Sequence, residues 1–188
     1  MHRQVMDTSV AVVAKVTPAD LDLDTPCAGW TLRRLLEHMI GQNHGFAAAA
    51  GGAGNDPAPF ADRPLGDDPA GEYAASATVV TDAFAACDPE SALWLPEITP
   101  ARPFPMASAI RFHLIDYLVH TWDVARSLGT TVDFDDDVLT EGLAIARKVP
   151  DDHTRRRDGA FFQPAIPAPD GAGTLDQILT QLGRSPAS

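Results

Sequence analysis

Positive charge is what this sequence has least of. Its 14 lysines and arginines face 26 aspartates and glutamates, for a formal net charge of -12 at neutral pH. Nucleic acid and anionic lipid surfaces are polyanions, so a chain of this sign is repelled by both, and neither is an expected partner. Cysteine is also scarce. Cys27 and Cys87 are the only two, and they form no CxxC pair or zinc-ribbon spacing. No apolar run approaches the roughly 20 residues of a membrane-spanning helix. The start, MHRQVMDTSVAVVAKV, has no long apolar core followed by a small-residue cleavage site. These absences predict a cytoplasmic protein with reduced thiols and a small-molecule or protein partner. No repeat of fixed period occurs. Lysine is confined to Lys15 and Lys148, and with heavy use of Ala, Asp and Pro this points to a high-GC bacterial genome.

Helical signals dominate what is there. Val5, Val12, Val13 and Val16 give an apolar side to a first helix over about 3–16, broken before Pro18. Thr31 is placed to cap a second helix, in which Leu32, Leu35, Leu36, Met39, Asn43 and Phe46 recur at helical spacing. The stretch 51–68 reads as a loop of Gly, Pro and Asp, too polar and broken to be core. Asp68-Pro69 is an N-cap and first-turn pair for a third helix running to about Cys87. Five prolines between 88 and 105 predict an extended connection, with a short strand around 92–95. A fourth helix covers about 106–128 and stops at Gly129. A fifth follows the acidic run DFDDD and ends near Lys148. Thr174 and Gln177 have capping-box spacing for a last short helix. The expected fold is all-α: a four-helix bundle with long crossover connections and an irregular C-terminal tail carrying a short helix. At 188 residues the chain is expected to be one domain over 1–188, with the tail of about 150–188 packed on the bundle.

The fourth helix carries the chemistry. At about 100° per residue, His120 lies about 20° from His113, Asp116 about 60° away, and Tyr117 about 40° to the other side. Apolar residues surround this arc, so the helix is expected to be buried, and each polar group on it needs a partner. Two readings stand. In one, Asp116 pairs with His113 or His120 in a core network that Tyr117 joins. In the other, Asp116 and His120, at i and i+4, ligate a metal together with a residue from a facing helix. His38, on the shoulder of the second helix's apolar stripe, completes a two-histidine, one-carboxylate set suited to zinc, nickel or iron.

Other residues carry weaker signals. Cys27 lies near a helix N-terminus but reads more readily as a small packing residue. Trp30 and Trp122 read as core anchors, with Trp122 also a candidate for the pocket wall. Asp123 is expected to cap or to pair with an arginine. His44 and His153 carry no expected role. Arg155 and Arg156, in the run RRR, read as a solvated loop or as an anion clamp for a substrate carboxylate or thiol cofactor.

Two segments carry a family resemblance. TPCAGWTLRRLLEHMIGQN and HLIDYLVHTWDVARSLG resemble the paired helix signatures of the actinobacterial relatives of mycothiol-dependent maleylpyruvate isomerase, within the DinB-like superfamily. FFQPAIPAPDGAGTLDQILTQLGRSP resembles the tail of a subgroup of small family members. The resemblance implies a DinB-like four-helix bundle with a divalent metal held by His38, Asp116 and His120. Asp116 stands where the isomerase has Glu. It leaves His113 and Tyr117 to support the ligands or to handle protons. It also implies a thiol cofactor, mycothiol, and a small electrophilic substrate, hence an isomerase or S-transferase. The further C-terminal domain of the isomerase is expected not to be present in full. The competing expectations are a non-catalytic metal-binding or structural module, and a metal hydrolase that uses no thiol. A homodimer is among the expected states, with no face assigned.

Overall fold

The computed structural model describes residues 1–157 and 160–186. The expected tail over 150–188 therefore includes four positions outside the described residues. The chain groups into two compact units, His2–Val132 and Asp133–Ser188.

The first unit holds α1 (His2–Val13), α2 (Leu32–Ala50), α3 (Pro69–Ala86), a two-stranded antiparallel ribbon of β1 (Ala92–Leu93) and β2 (Phe104–Pro105), and α4 (Met106–Ser127). Each of α1 and α2 packs against both α3 and α4. Going round the bundle, the order is α1, α3, α2, α4. Consecutive helices α1 and α2 thus sit at opposite corners, as do α3 and α4. This explains the two long connections: a short helical hairpin joins neighbours, whereas a diagonal step needs a crossover. The residues before α2 and the ribbon before α4 are those crossovers.

The local stop and start signals act as expected. The Thr31 side chain accepts from the Arg34 amide, and Asp68 Oδ1 accepts from the Gly71 amide at 2.9 Å. Such caps contribute about 1 kcal/mol each. Gly129 adopts φ 65° just beyond α4, the left-handed turn that ends a helix. The strand expected around 92–95 is confined to β1, because Pro96 follows closely. Its partner is β2, and the Met106 amide continues the pairing by donating to the Ser91 carbonyl. The core between the helices is made of Val5, Leu35, Leu36, Met39, Tyr73, Val80, Leu118 and Val124, all fully buried or nearly so.

The 51–68 connection departs from its expected character. Phe60 is buried and sets its ring edge-on to Phe46, at a centroid distance of 5.7 Å. Two glycines of α2 make this possible. A Cβ on Gly41 would lie 2.5 Å from the Ala61 carbonyl oxygen, and one on Gly45 would lie 2.3 Å from the Phe60 ring. The Arg63 amide then donates to the Glu37 carbonyl, so the loop lies down along α2.

The second unit holds α5 (Asp136–Ala146) and α6 (Thr174–Gln181), which pack together. The capping box expected at Thr174 does not form. Gly173 is the cap residue, Thr174 is already helical, and the Gln177 side chain donates to the Ala172 carbonyl. The irregular stretch between α5 and α6 is organised by Arg155. Its buried guanidinium donates to the carbonyls of Val149, Pro150, Gln163 and Gln181. Among the described residues no helix is long and apolar enough to cross a membrane.

Candidate metal centre

His38, Asp116 and His120 converge within the first unit. Each offers one ligand atom, and the three atoms lie within 4.8 Å of one another. The i, i+4 spacing on α4 brings Asp116 Oδ1 to 3.5 Å from His120 Nε2. His38 comes from the adjacent α2, its ring 5.8 Å from that of His120 and nearly perpendicular to it. The shorter Asp side chain still delivers its oxygen to the group.

What holds the two imidazoles is more telling than their proximity. His120 Nδ1 lies 3.0 Å from Oδ2 of the fully buried Asp123, three residues along α4. His38 Nδ1 lies 3.2 Å from Asp62 Oδ1, on the loop that Gly41 and Gly45 allow onto α2. A carboxylate on Nδ1 fixes the proton there, which leaves Nε2 as a lone-pair donor. Both rings are thus turned as metal-ligating histidines are. Burial lowers the His38 pKa and the neighbouring His120 adds to this, so the His38 ring is neutral and competent as a ligand at neutral pH. The donor set suits a borderline divalent cation such as zinc. Bonds of about 2.0–2.1 Å place ligand atoms about 3.3 Å apart, which side-chain rotation can reach from the present spacing.

Tyr117 ties α2 to α4. Its hydroxyl donates to the carbonyl of Met39, the residue after His38. Burial pushes the phenol pKa well above its usual range, with Tyr73 and Asp116 adding to it, so the proton stays in place. Tyr117 therefore touches the helix behind His38 rather than a ligand atom.

One wall of the centre is aromatic. Trp30, expected as a core anchor, is only partly buried. It sets its ring edge to His38 at 4.9 Å and lies nearly parallel to His120 at 6.5 Å. The Arg34 guanidinium lies over the Trp30 ring, 4.9 Å from its centroid. Gln42, one turn beyond His38, donates to Glu97 Oε2 at 2.8 Å. Burial raises the Glu97 pKa against the effect of the Gln42 bond, and the charges of Asp116 and Asp62 push the same way.

The remaining sequence candidates have contacts of their own. His113 is fully buried and turns towards α1, with Nδ1 3.0 Å from His2 Nε2. It stacks on Tyr117 and meets Phe46 and Phe84 edge-on. Trp122 is buried beneath Arg126. Arg155 is spent on carbonyls, and Arg156 is exposed beside it in the second unit. Sequence reasoning missed Asp62, Glu97 and the role of Asp123, which was expected to cap or to meet an arginine. The Asp123 signal was present, since i+3 on a helix faces His120.

A diagonal helical bundle with a His/Asp/His group between its second and fourth helices is the DinB-like fold with a candidate metal site. Residues 2–125 match the mycothiol maleylpyruvate isomerase N-terminal domain family, and the chain belongs to it. The match takes in both site helices almost to their ends. Similar proteins include two described as uncharacterised, from Mycobacterium tuberculosis strains CDC 1551 and H37Rv. Each is 31% identical over 184 residues, covering 98% of this chain and 96% of the relative. No solved structure matches.

Proposed function

We propose that this protein holds one divalent cation, zinc before nickel or iron, on His38, Asp116 and His120, and uses it to activate a thiol against a small electrophilic substrate. The observation that carries this reading is the pair of histidines with Nδ1 held by Asp62 and Asp123, in a group with Asp116 whose ligand atoms lie within 4.8 Å of one another. A cation bound there supplies Lewis acidity, which lowers the pKa of a thiol and yields a nucleophile at neutral pH. The family points to mycothiol as the thiol, and the chemistry is then that of an isomerase or S-transferase. The chain's own residues do the rest. Asp62 and Asp123 orient the imidazoles, Tyr117 fixes the spacing of α2 and α4, and Trp30 gives the incoming molecule a flat wall. This work belongs in the cytoplasm, where low-molecular-weight thiols are kept reduced.

A thermal-shift experiment tests the reading. Zinc-loaded protein should be stabilised by mycothiol, by about 2.7 kcal/mol at a hundredfold excess over the dissociation constant. The same thiol should have no effect on zinc-free protein. A zinc requirement for stability with no response to thiol would make the metal purely structural. Turnover of an electrophilic ester without added thiol would make the protein a hydrolase.

A further inference from the structure

The first turn of α2 carries charge of the wrong sign. A helix N-terminus is the positive end of its dipole, and acidic side chains are the ones that stabilise it. Here Arg33 and Arg34 occupy that turn and no acidic residue does. The helix end needs no anion for itself. The Leu32 and Arg33 amides donate to the Leu23 and Leu21 carbonyls, and the Arg34 amide to the Thr31 hydroxyl. Arg34 is tied to the His38, Asp116 and His120 group through Trp30. It stands one turn before His38, so the two side chains share a face of α2. Its guanidinium lies 4.9 Å from the Trp30 centroid, and that indole is 4.9 Å from the His38 ring and 6.5 Å from the His120 ring. Among the described residues Arg34 pairs with no carboxylate; the arginine pairs are Arg3 with Asp82 and Arg155 with Asp151. Stacking uses the face of a guanidinium and leaves the N–H donors free around its edge. Arg34 is exposed, so those donors are open to an entering molecule.

We infer that Arg34 and Trp30 form a carboxylate subsite, and that the substrate of this centre is a planar carboxylic acid held by its carboxylate on the Arg34 fork with its flat part beside Trp30. The inference names the substrate class of the centre proposed above and rests on that reading for the chemistry. Charge explains why such a subsite is needed. Asp62, Asp116 and Asp123 together carry one more formal negative charge than a divalent cation supplies. An anionic substrate is not drawn to that group by charge alone and requires a cation beside it. Arg34 supplies the cation, and the positive end of α2 adds to it. A guanidinium matches a carboxylate with two parallel N–H donors, which fixes orientation as well as position. Stacking on Trp30 holds the fork ready and lowers the cost of ordering it. Arg155 does not compete for this role, because its donors are taken by backbone carbonyls.

The test compares an acid with its neutral amide and needs neither thiol nor turnover. Benzoate and benzamide are titrated separately into wild type, Arg34→Gln and Arg33→Gln, each in zinc-loaded and zinc-free form. The indole N–H resonance of Trp30, one of three tryptophans, reports both affinity and place of binding. Wild type should bind benzoate about fivefold more tightly than benzamide, the factor that an exposed arginine–carboxylate pair supplies. Arg34→Gln should abolish that preference with and without zinc, and its thermal midpoint should match wild type because the side chain is exposed. Arg33→Gln, about 100° further round the helix, should keep the preference. A preference that survives Arg34→Gln, or that appears only with zinc, places the anion on the metal and overturns the inference. Equal loss in the two arginine variants reduces the effect to diffuse charge and overturns it as well. A protein that takes up no zinc fails the metal reading instead, and the zinc-free titrations still decide whether Arg34 binds the carboxylate.

Discussion

Two pairs of histidines meet inside one bundle, and they are built differently. His38 and His120 face each other across α2 and α4, and His2 and His113 across α1 and α4. His113 and His120 are separated by only two turns of α4. The first pair has a carboxylate on each Nδ1. The second pair has only itself: His2 Nε2 meets His113 Nδ1 at 3.0 Å, and among the described residues the buried His113 Nε2 has no hydrogen-bond partner. Around it stand Phe46, Phe84 and Tyr117. An imidazole with a carboxylate behind it has its tautomer chosen and its lone pair aimed. An imidazole in an aromatic box is a packing element that must stay neutral. Residue type and helical phase are nearly the same for His113 and His120. The groups behind the rings decide which one can serve as a ligand.

The comparison breaks most visibly with alanine. His120→Ala should remove bound metal from purified protein, from about one ion per chain to none, while the helical content stays. His113→Ala should keep the ion but lose roughly 2–4 kcal/mol of stability, since it opens a cavity and leaves its box unfilled. Elemental analysis and chemical denaturation of both variants check the contrast. Equal loss of metal in both would merge the two pairs into one site.

A finer cut removes only the backing groups. Asp123→Asn should weaken zinc binding by about 10–100-fold, because the fully buried Asp123 carboxylate holds His120 Nδ1 at 3.0 Å. Asp62→Asn should sit at the low end of that range, about tenfold, since Asp62 is half exposed and water can substitute for it. Competition with a chromophoric chelator measures both. The reverse order would show that the loop carboxylate matters more than the one on the helix.

The smallest effect is on the pH dependence of the metal-free protein. Burial lowers the His2 pKa to about 4, with the N-terminal ammonium and Arg3 adding to it, and lowers His113 well below its ordinary value. The folded state therefore binds fewer protons than the unfolded state below about pH 6.5. Their contribution is fully present above that pH and is lost as pH falls towards 4. His113→Phe, which keeps the box filled, should flatten the dependence between pH 6.5 and 4. Denaturation midpoints across that window in both proteins read the difference. An unchanged profile would place the acid sensitivity elsewhere.

The sequence made much of this legible where the physics is local. Thr31, Asp68-Pro69 and Gly129 mark helix ends because caps act over three or four residues. Asp116 and His120 were placed on one face because a helix fixes its own periodicity, and His38 joined them through its position on the apolar shoulder and the family pattern. Three things escaped. Asp62 reaches His38 only because Gly41 and Gly45 let a distant loop settle on α2, a contact that no local pattern encodes. His113 shares an arc with His120 on the wheel, but His2 and the aromatic rings of other helices draw it away. Trp30 looked like a core residue by type, and its place against His38 and His120 follows from how the first crossover meets α2.

The most direct test of the account follows the histidine side chains by nitrogen-15 NMR as zinc is added to metal-free protein. All six histidines can be followed at once. The account predicts that Nε2 of His38 and of His120 moves to a metal-bound shift with one equivalent of zinc, while both rings keep their Nδ1 proton. His2 and His113 should not move. Zinc-dependent shifts at His2 or His113, or no shift at His38, would contradict it.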